Sequence, residues 1–193
     1  MSKIETLNLG LTYLATVRHL SLNPEMVDLL EKEDYQVSVC NWISSHIATV
    51  NHILDRHLNA CHNCFFRWER RSIQVLAAPL AQSFGIDGLC NLQTKPITIL
   101  IDVGRVHPDD WLGLVVHEYS HAHIGFPGHD HRFISVLSHL CLGLGLEPPE
   151  RQETTEHLRH WPYATPITDP LALWLGYSGW EPLWAEQSTT ENQ

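Results

Sequence analysis

Apolar residues recur at helical spacing through the first third of the chain, which therefore reads as helical. Asn23-Pro24 reads as an N-cap followed by proline at the first helical position, opening a helix over PEMVDLLEKE. A longer helix follows. It carries Val39, Ile43, His46, Ile47, Val50, Ile53, Leu54 and Leu58 on one stripe, the wall of a core. After Cys64 the pattern shortens. FFRW, SIQVLA and PITILIDV are brief segments rich in β-branched and aromatic residues, separated by Gly85, Asp87-Gly88 and Lys95-Pro96, and they predict about three strands. The unbroken apolar run at 96–103 suits a strand covered on both faces.

Helical spacing returns after His107-Pro108-Asp109-Asp110, which puts a proline and two acids in a first turn. Leu112, Val115, Val116, Tyr119 and Ala122 form its stripe, and Gly125 with Pro127 ends it. A last helix is expected from about Asp130 to Leu144, with Phe133, Val136, Leu137 and Leu140 inward and Pro148-Pro149 beyond it. Residues 150–193 hold Trp161, Trp174, Trp180 and Trp184 with no sustained period, ending in QSTTENQ. They are expected to form an irregular strap that packs through its aromatic residues. The fold class is thus α+β: a single domain over 1–150, with 151–193 as an extension lying on it.

Composition narrows the function. With 22 acidic against 12 basic residues the chain carries a formal charge of -10, which repels phosphate backbones and makes nucleic acid an improbable partner. The local cluster Arg67, Arg70 and Arg71 reads as a solvated strand edge, the alternative being a nucleic-acid patch that would bind in a salt-sensitive way. No stretch approaches the ~20 apolar residues of a membrane span, and MSKIETLNLG lacks the form of a signal peptide, so a cytoplasmic protein is expected. There the five cysteines would stay reduced. Cys40 and Cys141 read as core. Cys61 and Cys64 form a single Cys-x-x-Cys, which reads as ordinary thiols at a helix end; with His57 or Cys90 it would make a second, structural zinc site.

Histidine is the unusual residue, since five of the fourteen fall within 117–131. His117-Glu118-Tyr119-Ser120-His121 is an H-E-x-x-H on a predicted helix. One turn brings His117 and His121 to the same face, ~5–6 Å apart at Cβ, where two imidazoles can grip one zinc ion. Glu118 lies further round the helix, able to reach a water on that ion and take its proton. A third ligand is needed, and His129 is the candidate, because the turn containing Gly125, Pro127 and Gly128 allows the chain to reverse and return to the metal. His131 is a rival if the turn winds differently. His123 points about 200° away from His121 and fits poorly on the same ion.

VVHEYSHAHIGFPGHDHRF resembles the zinc-binding core of SprT-like metallopeptidases, in the gluzincin-type group, whose H-E-x-x-H helix precedes a Gly-His-x-x-x-Phe motif. The resemblance covers roughly residues 97–145. It implies His117, His121 and His129 as zinc ligands, Glu118 as general base, and a peptide or protein as substrate. The paired Cys-x-x-Cys ribbon of the larger Spartan members is missing and the chain is acidic, so a DNA-linked substrate does not carry over; the connection from His121 to His129 is shorter than theirs, which implies a trimmed lid rather than a lost ligand. Tyr163, His157 and His160 are candidates for stabilising an oxyanion only because they lie outside predicted regular structure. The competing expectation is a non-catalytic, zinc-stabilised scaffold or binding protein whose tail occludes the site.

Overall fold

The computed structural model describes residues 2–27, 33–149, 155–164, 167 and 169–177. The fold is α+β. Its described elements are α1 (Lys3–Leu20), α2 (Glu33–Asn63), β1 (Ile73–Ala77), β2 (Gly88–Asn91), β3 (Ile97–Ile101), α3 (Trp111–Ile124), α4 (His131–Leu144), α5 (Thr155–Arg159) and α6 (Leu171–Trp174). Ser2 caps α1 in a reciprocal capping box with Glu5. Asn23 does cap a proline-led turn, accepting from the Glu25 amide, but that turn is a single 3₁₀ piece over Pro24–Met26 and Val27 is already extended. The rest of the helix expected there lies outside the described residues.

The sheet has the order β1-β3-β2, with β1 parallel and β2 antiparallel to β3. The apolar run of residues 96–103 thus becomes the central strand, its last four residues buried. FFRW is not the third strand. It folds as a turn closed by the Glu69 amide on the Phe66 carbonyl and the Phe66 amide on the Glu69 carboxylate, while Arg70 Nε donates to the Phe65 carbonyl. Local hydrogen bonds there outcompete pairing, and the aromatic residues divide accordingly. Phe65 stacks on His123 inside, while Phe66 and Trp68 stack on each other in solvent. The third strand instead begins at Gly88, within residues that read as turn material.

Helix α2 packs on α1, on β1 and on α3. Val39, Ile43, Val50, Leu54 and Leu58 are buried on it as expected, with His46, Ile47 and Ile53 partly covered. Its crossing with α1 is close enough that a Cβ on Gly10 would lie 2.4 Å from the Cys40 Cα. Tyr13 donates to the Ala77 carbonyl at 2.7 Å and Asn51 accepts from the Ala77 amide at 2.9 Å, which ties both helices to the end of β1. Helix α3 is buried almost all round from Gly113 to Ala122, so the single stripe expected for it is too narrow, and Leu112 is only half-buried. Other layers cover its remaining faces. On α4, Phe133, Leu137, Leu140 and Cys141 face the core, with Val136 at its margin, and the helix stops at left-handed Gly145 before the prolines are reached.

The C-terminal segment is less irregular than expected, since it contains α5 and α6. Leu158, Trp161, Leu173 and Trp174 enter the same core as the rest of the chain. Trp180, Trp184 and QSTTENQ lie outside the described residues. The fastening of this segment centres on Asp102, 2% exposed at the end of β3. Its carboxylate accepts from the Trp174 indole at 2.8 Å, the Leu80 and Gly104 amides at 3.0 Å each, and Arg105 Nε at 3.3 Å. Asp102→Ala would strand three buried donors and the part-buried, charged Arg105. It is expected to destabilise the fold by about 3–5 kcal/mol in denaturant unfolding; a loss below ~1 kcal/mol would show that Asp102 does not fasten the segment.

Candidate metal centre

Three residues preceding α3 shape its start. Pro108–Asp110 form a 3₁₀ turn capped by His107, whose Nδ1 accepts from the Asp109 amide, and α3 continues from it. At the far end Gly125 takes φ 69°, the left-handed conformation that glycine adopts without strain, and the chain turns out of the helix. That turn brings the Phe126 carbonyl back to His121, whose Nδ1–H donates to it at 3.0 Å. The ring is thereby oriented with Nε2 directed away, the arrangement a ligating histidine requires. Asp130 then caps α4 by accepting from the Arg132 and Phe133 amides. His129 stands immediately before this cap.

The result is a cluster in which one ligand atom from each of His117, His121 and His129 lies within 4.8 Å of the others. His117 Nε2 and His129 Nε2 are 3.2 Å apart. Ring centroids are separated by 5.1 Å for His117–His121 and His117–His129, and by 4.7 Å for His121–His129. Phe133, fully buried one turn into α4, touches all three rings with centroids 4.5–5.1 Å away and forms the floor beneath them. The rival histidines go elsewhere. His131 is exposed at the first position of α4, and His123 stacks on Phe65 at 4.0 Å behind α3.

Electrostatics favour neutral rings. His117 and His121 are 7% and 6% exposed. Burial pulls the His117 pKa down to about 3, helped by the adjacent His121 and His129, and pulls that of His121 down to about 4. Burial also lowers His129, and the positive charge of Arg159 adds to it. Glu118, 9% exposed, has no salt-bridge partner among the described residues, and burial raises its carboxyl to about 8. His117 Nδ1 is also buried, with the Trp161 backbone close by but no well-formed hydrogen bond between them. Three neutral imidazole donors beside an uncompensated buried carboxyl form a set that could hold a metal ion, the usual means of accommodating such groups in a protein interior.

These groups open onto a cleft of about 800 Å³. One wall is β2 with the residues before it, from Gly85 to Cys90; another is the C-terminal segment from Arg159 to Ala164. Gly88 explains its own identity here. A Cβ at that position would lie 3.1 Å from Ile101 Cδ1 and 3.2 Å from Glu118 Oε1, so glycine leaves room for the carboxylate against the edge strand. Opposite it, Pro162 presses on Gly113, whose missing Cβ would lie 2.8 Å from the proline ring. His160 and Tyr163 reach the cleft wall, whereas His157 is not part of it. The role of Gly88 was not foreseeable from local pattern, since it depends on a contact with α3, whereas the C-terminal segment packs at the cleft through Trp161 and Pro162.

Cys61 and Cys64 stay free thiols, and burial raises the pKa of both. Among the described residues His117, His121 and His129 are the one group of three or more such side chains close enough to share an ion, and Cys61 and Cys64 are not gathered with His57 or Cys90 into another. Cys40 and Cys141 are core residues. No helix among the described residues is long and apolar enough to cross a membrane. Compared with protein-family models, curated proteins and solved structures, the chain has no significant match, so the case for this site rests on its own geometry.

Proposed function

We propose that this protein is a zinc-dependent peptidase that holds its ion with His117, His121 and His129 and uses Glu118 as general base. The carrying observation is the convergence of three imidazoles beside a buried glutamate in one open cleft. Zinc bonds of ~2.0–2.1 Å at tetrahedral angles set neighbouring donors about 3.3 Å apart, which matches the 3.2 Å between the Nε2 atoms of His117 and His129. Nitrogen-only donors on a rigid helix suit zinc better than the oxygen-seeking calcium or magnesium. The motif's resemblance to SprT-like metallopeptidases points the same way.

Zinc in such a site supplies an acidified water and polarises the scissile carbonyl. The chain's own residues would do the rest. Glu118 follows His117 by one position, so its carboxylate lies beside the ligands rather than among them and is confined between α3 and Gly88. It would take the proton from the attacking water and later deliver it to the leaving amine. Among the described residues strand β2 pairs only with β3, and residues from it line the cleft, so a peptide could be held extended along it by strand addition. The described part of the C-terminal segment, from Arg159 to Ala164, forms one wall of this cleft.

The test is elemental analysis joined to cleavage. About one zinc per chain is expected, with hydrolysis of unstructured protein substrates that stops on chelation and returns on adding zinc. One zinc with no hydrolysis would leave a metal-stabilised binding protein. Absence of zinc, with no gain in thermal stability when it is added, would remove both readings.

A further inference from the structure

Among the described residues, the charged side chains lining the cleft are Asp87, Glu118 and Arg159, and Arg159 is the one cation. Asp87 faces Arg105 at 3.9 Å, and Glu118 is buried at the base. Arg159 stands on the C-terminal wall, exposed, with no carboxylate within 4.0 Å among the described residues. The nearby Arg132 differs, because Asp130 holds it at 2.7 Å. Arg159 is close enough to the cluster for its charge to act on His129.

Its backbone is anchored although its head group is exposed. Leu158 before it and Trp161 after it are buried, and Pro162 rests on Gly113 of α3. Arg159 therefore stands on an anchored stretch of backbone at a cleft whose other lining is largely apolar, including Leu22, Met26, Leu89, Leu114 and Trp161. Apolar walls focus the field of a lone charge. The protein as a whole carries a formal charge of -10, which disfavours acidic ligands in general, and Arg159 supplies a positive side chain at this cleft. A planar guanidinium also matches a carboxylate in bidentate fashion, which an ammonium does not.

We infer that Arg159 is a specificity-determining residue that selects peptides carrying a carboxylate, from an acidic side chain or a free chain end, close to the bond presented at the three-histidine site. The assignment rests on the peptidase reading for its substrate class, and its test separates the two. Dye-labelled decapeptide pools, randomised except for one fixed Glu or the matched Gln, and each with a free or an amidated C-terminus, are titrated onto the zinc-loaded full-length chain carrying Glu118→Gln. Cleavage of the same pools is followed with Glu118 intact.

Binding is expected to favour the carboxylate-bearing pool roughly tenfold at low salt, as for a charge-assisted contact at a partly exposed site. The preference should vanish in Arg159→Ala and invert in Arg159→Glu, with melting temperature and zinc content reporting that each variant is folded. Preference for Glu over Gln identifies a side-chain carboxylate, and preference for the free over the amidated end identifies the terminus. Equal binding of all pools, binding of none, or a preference that survives in Arg159→Ala would overturn the assignment. Carboxylate-selective binding lost in Arg159→Ala, with no cleavage of any pool, would uphold it and remove the peptidase reading instead.

Discussion

Glu118→Gln is expected to lower peptide hydrolysis by about 10²–10⁴-fold while leaving the zinc content at one per chain. The substitution keeps the shape of the side chain where it lies against Gly88 and Ile101, so the cleft should keep its form. It removes the one property the mechanism asks of this position, the ability to accept and return a proton. The three imidazoles are untouched, since none of them hydrogen-bonds to Glu118. Stability should not fall either. The amide fills the same buried space without placing a charged carboxylate there. Unchanged hydrolysis in a zinc-replete Glu118→Gln protein would assign the base elsewhere and undo the proposed mechanism. Loss of zinc along with activity would show that residue 118 binds the metal rather than serving it.

The second large effect is thermal. An ion bound by the folded chain alone stabilises it by about 4 kcal/mol when free zinc stands at a thousand times its dissociation constant. For a domain of this size each kcal/mol moves the melting temperature by about 2–4 °C, so chelation should lower it by about 8–16 °C. His129→Ala is the informative variant, because His129 is half-buried and precedes the cap of α4 rather than belonging to the core. Its metal-free melting temperature should stay near that of the metal-free parent, and the zinc-dependent rise should disappear. A rise of full size in His129→Ala would mean that the ion sits on other ligands. Calorimetry or circular dichroism with and without zinc settles the point.

The parts of this protein legible in its sequence are those governed by neighbours four residues away or fewer. Helical pitch alone puts His117 and His121 on one face and Glu118 to the side, whatever the helix packs against. The same reasoning places Phe133 one turn after His129, facing the core; that it lies against all three rings is a tertiary contact. The central strand announced itself because burial on both faces demands an unbroken apolar run, as at 97–101. FFRW misled for the converse reason: its β-type composition is real, but Glu69 and Arg70 satisfy the backbone locally and no partner strand competes.

What only the tertiary structure decided are relations between distant segments. The choice of His129 over His131 depended on how the Gly125 turn and the Asp130 cap wind the loop, which spacing leaves open. Gly88 reads as a turn residue until Glu118 is seen against it, thirty positions later in the chain. Asp102 looks like any acid at a strand end until four donors from Leu80, Gly104, Arg105 and Trp174 surround it. The wall carrying Arg159 likewise exists because Leu158, Trp161 and Pro162 find apolar partners on a core built by residues far earlier in the chain. Periodicity records which face of an element is apolar, but it carries no record of which other element will cover that face, and a cleft is made from such pairings.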